Sequence, residues 1–174
     1  DPSVHRLQGT TEGVTIIVTP TELQQMLAAF AAERVGLLER HEAGARVVGH
    51  YDFNNTYQYV VNREETHLGW LRDALNESGA AFPPAPVALA VPAGPKPGKK
   101  AAASEYSEIL ADDARQLGAF VERWRARVDG MTQARHRTML KVVLGESLEH
   151  KRLFDQAASG AEDLLGRRTG GPRP

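Results

Sequence analysis

Acidic residues and histidines recur along this chain at three- and four-residue steps from large apolar residues. Seven residues share this spacing: Glu33, Glu64, His67, Asp113, Glu146, Glu149 and His150. Because residues three and four apart lie on one face of a helix, the spacing predicts that these side chains face a core. Carboxylates and imidazoles gathered in a core are a typical ligand set for metal ions.

Several carboxylates buried in one core need compensation. An unpaired buried carboxylate costs several kcal/mol, so each one must be protonated, paired with a cation or bound to metal. Arg34 and Arg40 are near, but the pattern places neither centrally enough to neutralise five acids. We therefore expect a divalent metal, and an oxygen-rich set with two imidazoles favours iron or manganese.

Each of these residues also has a simpler interpretation when taken singly. Glu33 and Asp113 are then typical of partly exposed helix acids, and His67 is typical of a core histidine with satisfied hydrogen bonds. The pair Glu64-x-x-His67 arises often by chance. His41 lies eight residues, about 12 Å, from Glu33, so we expect it either in a second polar layer or as a core histidine with satisfied hydrogen bonds. The metal prediction rests on four separate helices each offering a ligand at one level.

Four long stretches have the periodicity of amphipathic helices. The second is expected over about 52–76, and the others follow residues that can act as N-caps. Thr19, followed by Pro20, is expected to cap the first helix, Ser104 the third and Thr132 the fourth. The expected ends are Gly49, Ser78-Gly79, Asp129-Gly130 and Ser159-Gly160. On the fourth helix, Val142 and Val143 are both expected to face inward.

Residues 79–104 interrupt the helical pattern. Prolines recur from Pro83 to Pro97, amid alanine and glycine, which favours polyproline II conformation. A disordered linker would leave two half-buried helical hairpins. About 25 extended residues reach well beyond the ~40 Å length of such helices. The segment is therefore predicted to be a crossover between the second and third helices of one four-helix bundle.

Composition limits the other possibilities. The 174 residues fit one domain, with an N-terminal arm at 1–18, a bundle at 19–160 and a flexible basic tail at 161–174. The near balance of 21 Lys and Arg against 22 Asp and Glu argues against a nucleic-acid partner. No apolar run approaches the roughly 20 residues that span a membrane. The absence of cysteine excludes disulfides, thiolate catalysis and iron–sulfur clusters.

At the candidate ligands the chain resembles the rubrerythrin branch of the ferritin-like superfamily, over about residues 20–158. That family has Glu on helix one, Glu-x-x-His on helix two, Glu-x-x-Glu on helix three and Glu-x-x-Glu-His on helix four. The corresponding residues here are Glu33, Glu64-Glu65-Thr66-His67, Asp113-Ala114-Arg115-Gln116 and Glu146-Ser147-Leu148-Glu149-His150. The last match is the most specific, since the plain ferritin-like pattern has a glutamate where Ser147 stands.

Three departures from the family pattern bear on activity. Asp113 and Gln116 replace two glutamates, and the second of these takes part in a redox-linked ligand exchange in the family. Gln116 therefore argues against peroxide chemistry of that type. Arg40 replaces a tyrosine that is typical of the family. The rubredoxin module cannot be present, because it needs cysteines.

The resemblance implies an all-α, ferritin-like bundle with a di-iron centre, or with manganese or a mixed metal pair. Such a protein would bind Fe(II) and reduce oxygen or peroxide, as a peroxidase or ferroxidase in oxidative-stress defence, with electrons from an unknown donor. Glu64 and Glu149 would bridge the metals. Glu33 and His67 would bind one ion, and Asp113, Glu146 and His150 the other.

A second hypothesis from the sequence is a bundle that has lost the metal site. Gln116 would then mark a weakened centre, and the protein would be a structural or binding module. In both cases we expect a homodimer with no nucleic-acid or membrane partner. The expected compartment is the cytoplasm, although an N-terminus that begins at Asp1 is also compatible with a removed leader.

Overall fold

The computed structural model describes residues 20–96 and 101–166, and these residues form an all-helical fold without strands. The fold consists of α1 (Pro20–Val47), α2 (Tyr51–Glu77), α3 (Ser107–Asp129) and α4 (Ala134–Ala158), with a short 3₁₀ helix, Ala103–Tyr106, before α3. The prediction of four helices is confirmed. The predicted arm at 1–18, the predicted Thr19 cap and residues 167–174 of the predicted tail lie outside the described residues.

The helices pack as a four-helix bundle around an apolar interior. Helix α1 packs against α2 and α3 against α4, and further contacts join α1 to α3 and α2 to α4. Phe30 lies between Phe120 and Trp124, with both pairs of ring centroids 5.0 Å apart in edge-to-face geometry. Aromatic contacts of this kind add to the stabilisation from apolar burial. The bundle thereby buries most of the apolar stripes that the sequence pattern predicts.

Two predicted helix starts are wrong. Ser104 lies inside the 3₁₀ helix, and α3 begins only at Ser107. Tight 3₁₀ turns are common at helix N-termini, so a residue able to cap does not by itself mark the first helical residue. Helix α4 begins at Ala134, after the N-cap residue Gln133 rather than Thr132. Gln133 makes no side-chain capping hydrogen bond, so α4 begins without the kind of capping residue that a sequence pattern reveals.

The inward face of α4 also differs from the predicted one. Val142 was expected to face inward, yet it is 44% exposed, whereas Leu140, Val143 and Leu144 are buried. Adjacent helical residues point about 100° apart, so the consecutive apolar residues 142–144 cannot all lie on the inward face. The face that is buried continues into Ser147.

Residues 80–96, which we call the strap, contain no helix or strand, and they contact α1 at Gly36 and at Val47. The guanidinium of Arg72 stacks over the Phe82 ring near the start of the strap. Further on, Pro86 packs so closely on Gly36 that a β-carbon there would lie 3.2 Å from its ring. At Gly94, a β-carbon would lie 2.7 Å from both Val47 and Ile109. The contacts thus follow α1 toward its C-terminal end.

Gly44 on α1 is required by the close approach of α2. A β-carbon at Gly44 would lie 2.7 Å from Cε1 of the buried ring of Tyr57, which has no room to move. We expect Gly44→Ala to destabilise the fold by about 1–3 kcal/mol through overpacking. Gly69→Ala is the matched control: no atom lies within 4 Å there, so it should stabilise α2 by up to about 1 kcal/mol. Thermal melts that rank the two variants in the opposite order would contradict this packing.

Candidate functional site

The middle of the bundle holds a buried polar cluster instead of a continuous apolar core. Side chains of all four helices contribute, and each is at most 2% exposed. Charged groups can be buried at this depth only when partners lie close by. We call the following residues the central cluster: Arg34, Arg40, His41, Glu64, His67, Asp113, Ser147 and His150.

Arg34 of α1 lies at the centre of this cluster. One terminal nitrogen donates to Ser147 Oγ at 3.0 Å, and the other is 3.3 Å from both Glu64 Oε1 and His67 Nδ1. Burial lowers the pKa of Arg34, with Glu64 acting in the opposite direction. A guanidinium nevertheless keeps its proton in proteins. Arg34 therefore places a permanent positive charge between α1, α2 and α4.

Glu64 of α2 balances the charge of Arg34. Its Oε1 faces Arg34, and its Oε2 lies 2.8 Å from Nδ1 of His41. Burial alone would raise the pKa of Glu64, but the neighbouring His41 and Arg34 outweigh burial and hold the pKa below its usual value. Both oxygens of this ionised carboxylate are therefore already engaged by protein groups.

A second buried ion pair lies nearer the C-terminal end of α1. Arg40 Nε donates to Asp113 Oδ1 at 2.7 Å, and a terminal nitrogen of Arg40 contacts Asp112. The other Asp113 oxygen accepts a hydrogen bond from the Tyr57 hydroxyl. Burial, together with the charge of Asp113, raises the pKa of Tyr57 well above its usual value. His41 Nε2 lies 3.8 Å from Asp113 Oδ1, so this imidazole stands between the two buried carboxylates.

Glu146 borders the cluster on its solvent side, between α2 and α4. Its side chain is 32% exposed, pairs with Arg63 at 2.8 Å and contacts Nε2 of the buried His67. Burial alone would raise the pKa of Glu146, but hydrogen bonds from Arg63 and His67 lower it below its usual value. His67 thus connects this surface ion pair to Arg34 in the centre.

Two of the seven predicted ligands do not reach the cluster. Glu33 is 36% exposed and pairs with Arg123, and Glu149 is 50% exposed and pairs with an arginine of its own helix. Each is next in sequence to the residue that points inward, Arg34 or His150, and one residue turns a helix by about 100°. The prediction that both glutamates face the core is therefore wrong. The other five predicted ligands lie in or beside the cluster: Glu64, His67, Asp113, Glu146 and His150.

His150 is the least satisfied member of the cluster. It is 1% exposed, and its Nδ1 has no hydrogen-bond partner in the part of the chain that the structure describes. Its ring contacts the edge of Tyr59 and lies nearly parallel to His67, with 6.3 Å between centroids. Burial lowers the pKa of His150 from 6.5 to about 4. The side chain is therefore neutral at neutral pH.

We expect the protein to lose stability as the pH falls from about 6.5 to about 4. His150 has a pKa of 6.5 in the unfolded chain and about 4 in the folded protein. Its contribution to the free energy of unfolding is complete above pH 6.5. It is lost as the pH falls to about 4, because in this range the unfolded chain takes up the proton and the folded protein does not. The loss is at most about 3 kcal/mol, at 1.36 kcal/mol per pKa unit. Burial also lowers the pKa of His67, and this second buried histidine adds to the loss of stability at acidic pH.

Urea denaturation at several pH values in this range measures the effect. His150→Gln keeps a polar side chain but removes the titrating group, so its free energy of unfolding should depend less on pH. The same pH dependence in the variant and the wild type would show that His150 does not titrate in this way.

The sequence pattern missed the cationic part of the cluster. Leu27, Phe30, Arg34, Leu37 and His41 follow one another at three- or four-residue steps, so the signal for Arg34 was present. The interpretation that Arg34 and Arg40 are not central enough to neutralise the acids is wrong, since each pairs with a buried carboxylate.

The residues of the cluster do not fit a di-metal centre in the observed arrangement. Within residues 20–96 and 101–166, no group of three or more Asp, Glu or His side chains is placed to hold a metal ion. Glu64 and Asp113 instead bind the guanidinium groups of Arg34 and Arg40. A metal ion at this point would also be repelled by the charge of Arg34.

Comparison with known proteins adds no assignment, because no family model, curated protein or solved structure matches the chain. Among the described helices, none is both long and apolar enough to cross a membrane. The fold and site define a four-helix bundle whose centre is a buried network of ion pairs.

Proposed function

We propose that this chain is a ferritin-like bundle in which buried arginines take the place of metal ions, and that it acts as a metal-independent structural or binding module. The position of Arg34 supports this proposal. Its guanidinium contacts Glu64 and His67, two residues that the family resemblance assigns to metal. Arg40 neutralises Asp113, a third such residue. Two organic cations thus balance the carboxylates that metal ions would otherwise balance.

The strap supports the ferritin-like part of the proposal. It follows the end of α2, lies against α1 at Gly36 and reaches Ile109 near the start of α3. A long connection between the second and third helices is the arrangement of ferritin-like bundles. We therefore propose the strap as the crossover of such a bundle.

A di-iron protein that reduces oxygen or peroxide is the second candidate. It is favoured by the buried His150 Nδ1, which has no partner among the described residues, and by the nearby His67 and Glu64. Bound iron would supply electrons to the oxidant. Binding would require Arg34 to leave the centre and Glu64 to exchange Arg34 for metal.

Metal analysis after anaerobic loading with Fe(II) separates the two candidates. We expect the wild type to retain far less than one equivalent of iron per chain. Arg34→Ala should retain more, because Glu64, His67 and His150 then border a vacated space without a resident cation. Arg135→Ala removes an exposed arginine that pairs with Glu77, which is not a candidate ligand, and should behave as the wild type. A wild type that binds about two equivalents would contradict the proposal and favour the di-iron candidate.

A further inference from the structure

The outer face of α4 carries two aliphatic side chains in solvent. Val142 is 44% exposed and Leu148 is 40% exposed, although both lie well inside the helix. Gly145 lies halfway between them, and no described atom outside its own stretch of helix comes within 4 Å of a β-carbon placed there. A glycine inside a helix lowers stability relative to alanine. The packing of the described residues therefore does not explain the composition of this face.

The residues on this face are arranged symmetrically about Gly145. Val142 and Leu148 lie three residues before and after it, and Lys141 and Glu149 lie four residues before and after it. Residues three and four positions away lie within about 60° of Gly145 around the helix. All five residues are exposed. A two-fold rotation at the level of Gly145 therefore exchanges a cation with an anion and one aliphatic side chain with the other.

We propose that this face binds the same face of a second copy of the chain, with the two α4 helices antiparallel and crossing at Gly145. In such a two-fold pair, a residue before Gly145 in one copy lies level with the residue equally far after it in the other. Lys141 then lies level with Glu149 of the second copy, ~6 Å along the helix from the crossing. Val142 and Leu148 are covered, which removes apolar surface from water. The missing side chain of Gly145 lets the two backbones approach closely.

The charges on this face favour a second copy over an unrelated partner, because the face is its own complement under a two-fold rotation. Lys141 and Glu149 also pair within their own chain, with Asp129 and Arg152. Exposed pairs of this kind contribute little to stability, so both side chains can turn to the second copy at little cost. At the rim of an interface, the new pairs set the orientation of the copies more than their affinity.

The expected dimer is reversible, because the contact of two helices is small for a specific interface. It does not depend on the proposed function, since the residues that α4 contributes to the central cluster, Ser147 and His150, are buried inside the bundle.

Analytical ultracentrifugation of the full chain over a range of concentrations tests the interface. The molar mass of the wild type should double as the concentration rises. Gly145→Glu should stay monomeric, because it places a carboxylate against its own copy at the crossing. It should still fold, since the position is open within the described part of the chain. Gly69→Glu is the matched control: it fills an equally open position inside α2 and should dimerise as the wild type does.

Exchange of the charged pair tests the antiparallel arrangement. Lys141→Glu should weaken the dimer, because the new carboxylate then lies level with Glu149 of the second copy. Lys141→Glu combined with Glu149→Lys restores the pairs with their charges exchanged, so association should return to near that of the wild type.

A wild type that stays monomeric at the highest concentration, or a Gly145→Glu variant that still dimerises, would overturn the proposal. Loss of the dimer in Gly69→Glu would also overturn it, by assigning the contact to another face of the bundle. A double charge variant that associates no better than Lys141→Glu alone would exclude the antiparallel pairing. None of these results bears on the metal analysis, so this proposal and the proposed function can fail separately.

Discussion

Glu64→Ala should lower the free energy of unfolding of the metal-free protein by about 3–5 kcal/mol. The substitution leaves the guanidinium of Arg34 fully buried without its carboxylate partner, and it also removes the 2.8 Å contact of His41. A buried charge without a partner keeps its whole desolvation penalty, and this penalty is the source of the expected loss. Urea denaturation followed by tryptophan fluorescence measures it.

Glu149→Ala is the matched control, because it removes a carboxylate that the sequence pattern also assigned to the core. Its side chain is 50% exposed and pairs with Arg152, so its removal should change the free energy of unfolding by less than about 0.5 kcal/mol. In an empty metal centre, by contrast, removal of Glu64 would relieve repulsion between carboxylates. A metal-free Glu64→Ala protein as stable as the wild type would therefore contradict the ion-pair network.

Arg40→Met should also destabilise the fold by about 3–5 kcal/mol, and it should loosen the strap in addition. Arg40 is 2% exposed and pairs with Asp113 and Asp112, while a third nitrogen donates to the carbonyl of Ala90. This last contact connects the strap to the buried network. We expect thermolysin, which cuts beside aliphatic residues, to cleave near Leu89 faster in the variant under native conditions.

The control for Arg40→Met must separate loosening of the strap from general destabilisation. Asp113→Asn weakens the same ion pair but leaves the Arg40 contact with Ala90 in place. The two variants are compared at equal free energy of unfolding, which is set by adding urea to the more stable one. Under this condition, thermolysin should cleave the strap faster in Arg40→Met than in Asp113→Asn. Equal cleavage of the two variants would show that Arg40 does not hold this segment.

The fold could be predicted from the sequence because its helices are long and strongly periodic. Apolar residues such as Leu23, Leu27 and Phe30 recur at helical spacing, and the break at 79–104 contains prolines that no helix interior accepts. Helix starts were less predictable. Thr132 can cap a helix, but the N-cap of α4 is Gln133, which makes no side-chain capping hydrogen bond and therefore leaves no signal in the sequence.

The central cluster could be predicted only in part. Glu64, His67, Asp113 and His150 are buried as their spacing indicates. The error arose at adjacent positions: Glu33 and Arg34 both lie three or four residues from apolar neighbours, and only packing decides which one points inward. The partners of Arg34 lie 30, 33 and 113 residues away in the sequence, so no local pattern reveals that they neutralise one another.

The contacts of Arg34 also determine the alignment of the helices along the bundle axis. Apolar surfaces lined by leucine, valine and alanine tolerate a slide of one helical turn, because one aliphatic contact then replaces another. Such a slide of α1 along α2 would move Arg34 from Glu64 to the level of Val60 or Leu68, which are buried and apolar. The guanidinium would lose its partner at a cost of several kcal/mol. The charged side chain of Arg34 thereby favours one register, the same one that the close fit of Gly44 against Tyr57 requires.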